Sequence, residues 1–228
     1  MGANLILIFS GFTTLILFYI LAIAVITSNP RSWSNRSFFM YFTTKSLAVI
    51  TTIMIPLSLT FAEAMFNFRL FTASLILFST YLYLFGYSLE AGRESVKKRF
   101  FALSGLALLL VVPLFLYDGF YVLRAEPYGW YYDYTVLGYL YAVGYYAAVE
   151  GLGIYLVIRF MRRIVNPEIK RYLKFISLSF IVHYFLGPTI VIGQRLLSTA
   201  EFDLLWTVPD VALFGIALYY FLKLKMRD

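Results

Sequence analysis

Three ionisable residues lie inside long apolar stretches of the sequence, where a charge needs a partner. Lys45, Glu150 and His183 each lie nine residues from a base that marks the end of its apolar stretch. At 1.5 Å per residue, all three side chains fall about 13 Å from the same membrane face. A charge within a bilayer is costly unless it is paired. We therefore predict that Lys45 pairs with Glu150 and that His183 lies beside them as part of one intramembrane charge layer.

Two roles are open for this layer. In the first, Lys45 and Glu150 neutralise each other as a structural clamp. In the second, the layer is a switch or a proton-coupled element, because His183 is the one side chain that titrates near neutrality without help from its surroundings. The third alternative is that the three residues do not touch.

A second group of residues points to the outer half of the protein. Asp210 follows a proline and lies four residues after Trp206, hence on the same helix face, and Gln194 is close enough in depth to reach it. Prolines that kink helices in this half, namely Pro56, Pro113, Pro188 and Pro209, would splay them around an outward-facing cavity. Tyr139 and Tyr145 would line that cavity. The alternative is ordinary proline tolerance in membrane helices, with the tyrosines as packing residues and Asp210 in an ion pair at a helix end.

The composition excludes several classes of protein. Of the 228 residues, 61% are hydrophobic and 14% charged, whereas a soluble domain carries about 25% charged residues. With no cysteine and one histidine, thiolate chemistry and histidine metal clusters are excluded. No nucleophile–base motif or phosphate loop is present, and the seventh apolar window has no central lysine for retinal. We expect no catalytic residues, no cofactor and no metal.

Seven windows of about 20 apolar residues qualify as membrane spans. They cover residues 4–27, 38–62, 70–89, 100–119, 135–158, 174–196 and 204–222. The first lacks a basic leader and is too long for the core of a signal peptide, so we expect it to be retained. The fold class is therefore predicted to be all-α, a single domain over residues 1–228 formed by an integral membrane bundle of seven transmembrane helices.

The distribution of Lys and Arg predicts how the bundle is oriented. The odd-numbered loops and the C-terminal tail carry 15 of the 19 bases and the other loops carry three, the last being Lys45 within a span. Cytoplasmic loops are the ones rich in Lys and Arg. The N-terminus is thus predicted to lie outside and the C-terminus in the cytoplasm. Because the surplus of +7 sits at membrane edges, anionic lipid is the expected partner and nucleic acid is not.

Two further expectations concern the fourth connection and the fifth span. The connection from Gly119 to Tyr134 is rich in Tyr and Trp, whose rings settle at headgroup level, so it should lie along the outer interface. The fifth span carries the pairs Gly144/Ala148 and Ala147/Gly151, whose spacing permits close approach of helices. We expect this span to be central in the bundle.

The first loop carries the strongest resemblance to a known family. The stretches Asn29-Pro30-Arg31 and Asn35-Arg36-Ser37-Phe38, with the number and spacing of the spans, resemble the seven-helix N-terminal sensor region of prokaryotic membrane histidine kinases. In that family an Asn-Pro turn closes the first helix and an Asn-x-x-Phe stretch opens the second. In that family a kinase, phosphatase or cyclase domain is expected after the seventh helix, whereas this sequence ends six residues after Leu222. We therefore expect either that the effector is a separate protein or that this is a stand-alone relative.

These observations favour a multi-pass cell-membrane protein that acts as a sensor or receptor. It would take a small-molecule ligand from outside and pass a signal to a cytoplasmic signalling protein through its basic loops. The first alternative is a small solute or proton-coupled transporter that uses Lys45, Glu150, His183 and Asp210. The second is an accessory subunit of a larger membrane complex.

Overall fold

The computed structural model describes the backbone of residues 2–126, 129–197, 215–216 and 219. Side chains are described for 11–125, 130, 132–182, 184–185, 215–216 and 219. The helices are α1 (Gly2–Ser28), α2 (Trp33–Leu57), α3 (Phe61–Glu90), α4 (Arg93–Leu116), α5 (Val136–Arg163) and α6 (Pro167–Leu197). A 3-10 turn (Asp118–Phe120) and two strands, β1 (Tyr121–Glu126) and β2 (Gly129–Tyr134), lie between α4 and α5.

The chain is a mostly helical, multi-pass membrane protein. Among the described residues five helices, α1 to α5, are long and apolar enough to cross a bilayer. The sixth predicted window lies within α6, and most of the seventh, 204–222, lies outside the described residues.

The boundary between the second and third helices differs from the prediction. Hydropathy placed one span over 38–62, but α2 ends at Leu57 and α3 begins at Phe61. Thr60 and Glu63 form a capping box: the Thr60 hydroxyl accepts from the Glu63 amide at 3.2 Å, and the Glu63 carboxylate accepts from the Thr60 amide at 3.2 Å. This reciprocal pair satisfies amides that would otherwise lack acceptors, so a new helix starts here.

The connection from Gly119 to Tyr134 is an antiparallel hairpin, which the sequence analysis missed. Tyr121 is paired with Tyr134, and Leu123 with Tyr132. The indole of Trp130 donates to the carbonyl oxygen of Ser58 at 2.9 Å and thereby holds β2 against the turn between α2 and α3. The hairpin is therefore fixed to the helical bundle.

Among the described helices α3 is the central one, in place of the fifth span that the sequence favoured. It packs against α2, α4 and α5, and 67% of its apolar window is buried, against 33% for α5 and 11% for α4. The close approach between α3 and α5 is made at Gly86 and Gly153. A Cβ at Gly144 would meet only the Tyr139 carbonyl, at 3.7 Å, so the predicted Gly144/Ala148 pair is not the point of contact.

Candidate functional site

Lys45 lies in the interior of the bundle, with 2% of its surface exposed. Its ammonium group donates to the Tyr41 hydroxyl at 3.3 Å, one helical turn earlier on α2. It also lies 5.0 Å from the centre of the Phe18 ring and 5.5 Å from that of Tyr41. Aromatic faces attract a cation more strongly when water is excluded, so these rings help to hold the charge in an apolar place.

A chain of aromatic rings connects this site on α2 with α5. Tyr41 packs edge-on against Phe78 of α3 at 6.0 Å and against Phe180 of α6 at 5.3 Å. Phe78 in turn packs edge-on against Tyr146 of α5 at 5.9 Å. Four helices therefore meet around one ring cluster, which excludes water from the groups at its edge.

Glu150 lies one turn after Tyr146 and is fully buried. Among the described residues, the two buried charged side chains are Lys45 and Glu150. Each lies one turn after a tyrosine, Tyr41 or Tyr146, whose ring packs edge-on against Phe78. Opposite charges attract strongly in a buried apolar environment, and leaving either one without its partner is costly. Contact between the two groups stays a prediction.

The side chain of His183 lies outside the described residues, although its backbone is part of α6. The adjacent Tyr184 donates its hydroxyl to the carbonyl oxygen of Ala147 at 3.0 Å. A Cβ at Gly151 would lie 3.2 Å from that hydroxyl, so the glycine leaves room for it. The turn of α6 that carries His183 thus packs on the turn of α5 that carries Glu150.

The predicted outer cavity is described only in part. Asp210 and Trp206, and the side chain of Gln194, lie outside the described residues. The Tyr139 hydroxyl donates to the Asp133 carboxylate at 2.6 Å, and the Tyr145 hydroxyl is hydrogen-bonded to Thr80 at 2.9 Å. The cavity stays a prediction.

An aromatic cluster joins the hairpin to α3 in this half of the protein. The Phe68 ring packs within 5.1 Å of the rings of Tyr121, Tyr132 and Tyr134. The Tyr134 hydroxyl is hydrogen-bonded to that of Thr72 at 3.0 Å. Burial raises the pKa of Tyr134 and of Tyr121 well above the usual range, so both hydroxyls are neutral hydrogen-bonding groups. The sequence analysis missed Tyr41, Thr72 and Thr80 as polar partners.

The first turns of α5 contain a π-helical segment, Tyr139–Val143. It follows a single α-turn, Val136–Gly138, that is capped by Thr135. The Thr135 hydroxyl accepts from the Gly138 amide at 3.2 Å and donates to the Gly119 carbonyl at 2.6 Å. A π-turn holds one more residue than an α-turn and often marks a functional position. Here it separates the hairpin from the part of α5 that carries Glu150.

The opposite end of α5 is held by an acid on α3. The Glu90 carboxylate lies 3.6 Å from the Arg159 guanidinium and 3.3 Å from that of Arg163. The pairs are partly exposed, so each contributes little to stability alone. Together they fix the end of α5 against the end of α3.

The family-like stretch in the first loop forms a clasp between α1 and α2. The Asn35 amide donates to the carbonyl oxygens of Val25 at 2.9 Å and Asn29 at 3.2 Å, and to the Ser28 hydroxyl at 3.1 Å. The Arg36 guanidinium donates to the Pro30 carbonyl at 2.8 Å. These contacts satisfy carbonyl groups at the end of α1, which gives the stretch a structural role.

No protein-family model matches the chain, and no curated protein shows a significant similarity to it. Among the described residues no group of three or more His, Cys, Asp or Glu side chains is placed to hold a metal ion. The candidate site therefore rests on the geometry of the buried charges.

Proposed function

We propose that this protein is a membrane sensor with seven spans, its N-terminus outside and its C-terminus in the cytoplasm. The layer of Lys45, Glu150 and His183 is its switch, and a separate cytoplasmic protein receives the signal. One observation carries the proposal: a single helix, α5, connects the hairpin, the buried Glu150 and the arginines at the opposite end.

The outer end of α5 is coupled to the hairpin at short range. The Thr135 amide donates to the Phe120 carbonyl at 3.1 Å. A Cβ at Gly138 would collide with the same carbonyl oxygen, so the helix backbone lies directly against the 3-10 turn before β1. A ligand that displaces the hairpin therefore displaces the start of α5.

A rotation of α5 would change the surroundings of Glu150. The Glu150 carboxylate is fully buried, and in the proposed pair a small displacement of this group from Lys45 is costly. Such a layer favours two discrete arrangements over a continuum, and a ligand that binds one of them better shifts the population. Because Arg159 and Arg163 lie on the same helix, the change reaches the cytoplasmic edge.

Two other functions use the same features. A proton-coupled transporter is favoured by ionisable residues within the membrane, which often mark ion pathways. An accessory subunit is favoured by α4, which leaves most of its apolar surface uncovered, with only 11% of its window buried. Each makes a different prediction for a variant that lacks the charges.

The test compares cells without the gene with cells that carry the wild type or the variant Lys45→Met/Glu150→Leu at equal abundance. If the protein is a sensor, loss of the gene changes the expression of other genes in the cell. The wild type then restores the original expression, and the variant does not. A charge-dependent proton flux into vesicles of the purified protein would instead show transport. Co-purification of the variant with other subunits at a fixed ratio, with full restoration of expression, would show an accessory subunit.

The surface for the cytoplasmic partner can be tested separately. Arg163 is held by Glu90, and its neighbour Arg162 is exposed at the same terminus of α5. Reversing the charge by Arg162→Glu should prevent recovery of the partner, while Arg93→Glu at the start of α4 serves as a control of equal charge. Unchanged recovery with Arg162→Glu would remove this residue from the docking surface.

A further inference from the structure

Three exposed bases lie together on the first turns of α6. Lys170, Arg171 and Lys174 line a shallow depression of ≈ 340 Å³ with Pro167 and Phe175. Residues three and four apart share a helix face, so the three positive charges converge on one place. An anion placed in this depression would be attracted by all three bases.

The side chains, and not the end of the helix, form this site. The side-chain oxygen of Asn166 accepts hydrogen bonds from the backbone amides of Glu168 at 2.9 Å and Ile169 at 3.2 Å. The backbone carbonyl oxygen of Asn166 accepts from the Lys170 amide at 3.0 Å. Because these amides of the first turn are occupied, recognition of an anion falls to the three bases.

An exposed apolar stripe continues from these bases along the same helix face. Leu178, one turn after Lys174, is 41% exposed, and Phe185, two turns further on, is 66% exposed. The two side chains therefore cover about 10 Å of the face in the direction of the membrane interior. Bases at the edge of a span, followed by an open apolar track, match the headgroup and the chain of one lipid.

We propose that this face of α6 binds an anionic phospholipid. Lys170, Arg171 and Lys174 hold the phosphate group, and Leu178 and Phe185 hold one acyl chain. Basic pockets at membrane edges recognise anionic headgroups at about 1 kcal/mol per base near the surface. The proposal goes beyond the sensor function, since it requires only that α6 lies in a membrane.

The experiment measures binding of phosphatidylglycerol to the full-length protein in a neutral detergent by native mass spectrometry. The variant Lys170→Gln/Arg171→Gln/Lys174→Gln should bind on the order of 100-fold more weakly. The matched control is Arg93→Gln/Lys97→Gln/Lys98→Gln, which removes the same charge from three exposed bases of α4 and should bind as the wild type does. Circular dichroism and a monodisperse elution profile confirm that both variants are folded.

Two further measurements separate a lipid from a free anion. The variant Leu178→Ser/Phe185→Ser should weaken binding of phosphatidylglycerol, and inorganic phosphate should not displace the lipid. Displacement by millimolar phosphate with no effect of the apolar changes would overturn the proposal in favour of a phosphate site. Equal losses in the two triple variants, or equal binding of phosphatidylcholine, would show that no specific lipid site exists.

Discussion

Gly86 of α3 and Gly153 of α5 pack backbone against backbone. A Cβ at Gly86 would lie 2.7 Å from the Gly153 carbonyl oxygen, and a Cβ at Gly153 would lie 2.8 Å from the Tyr83 amide nitrogen. These distances are shorter than any contact of a Cβ atom, and the neighbouring atoms belong to helix backbones that cannot move aside. The contact fixes how closely the helix of Glu150 approaches the central helix.

We expect Gly153→Ala to lower the free energy of unfolding by about 1–3 kcal/mol, because the added methyl group overpacks a helix crossing. The control is Gly105→Ala on α4, where a Cβ would meet no atom within 4 Å. There the helix propensity of alanine should stabilise by up to about 1 kcal/mol. Thermal unfolding in detergent measures both. Equal melting temperatures would show that the two helices can separate without cost.

Removing one charge of the buried layer should be worse than removing both. Lys45→Met leaves the carboxylate of Glu150 in an apolar cluster, and we expect a loss of about 3–5 kcal/mol. Lys45→Met combined with Glu150→Leu should recover much of this loss, because an apolar pair often equals a buried ion pair. A double-mutant cycle of unfolding free energies gives the coupling energy. Strictly additive losses would mean that the two residues do not interact.

The π-turn should tolerate the loss of a residue that a regular helix does not. Deleting Leu140, which is 72% exposed, would convert the π-turn to an α-turn and leave the rest of α5 in register. Deleting Leu152, which is 48% exposed within the α-helical part, would rotate all later residues by about 100°. We expect the first variant to stay folded and the second to aggregate. Gel filtration in detergent compares the two variants. Aggregation of both would show that the π-turn does not tolerate the loss of a residue.

The clasp between α1 and α2 should contribute more than a single hydrogen bond. Asn35→Ala removes three hydrogen bonds, which we expect to cost about 2 kcal/mol. Asn67→Ala is the comparison, because the Asn67 amide makes one hydrogen bond, to the Ser58 hydroxyl at 3.1 Å. Thermal unfolding should show the larger shift for Asn35→Ala. A larger shift for Asn67→Ala would show that the Asn35 stretch has a role other than holding α1 and α2 together.

The charge distribution predicts the side on which the termini lie. A reporter that is active only in the cytoplasm should be active when fused after Asp228, because the positively charged loops remain there. A periplasmic reporter at the same position should be silent. The opposite pattern would require a different orientation or an even number of spans.

Hydropathy found the helices but not the positions at which they begin and end. It separated α2 from α3 but placed the end of the second span at residue 62 and the start of the third at residue 70, whereas α2 ends at Leu57 and α3 begins at Phe61. The spacing of Thr60 and Glu63 is typical of a capping box and marks the position at which α3 begins. Aromatic residues at alternate positions, Tyr128, Trp130, Tyr132 and Tyr134, were a signal for the second strand of the hairpin.

Other features depend on contacts that no local pattern records. Nothing in the sequence distinguishes the π-turn, Tyr139–Val143, from the α-helix that follows it. The hydrogen bond from Thr135 to Gly119 likewise joins residues that are far apart in the sequence. The place where α3 and α5 meet depends on two glycines far apart in the chain. By contrast, depth within a span is a local property, and it led to Lys45 and Glu150 without any structure.

The ion pairs of Glu90 with Arg159 and Arg163 also have a consequence for synthesis of the chain. Glu90 leaves the ribosome before Arg159 and Arg163, and at about 5–20 residues per second the interval is on the order of ten seconds. During that interval α3 stands in the bilayer without α5 packed on Gly86 and without the two arginines that pair with Glu90. The nascent protein therefore passes through a stage in which one side of α3 is not yet packed, and this stage ends when α5 inserts. Factors that monitor unfinished membrane proteins have that window in which to act.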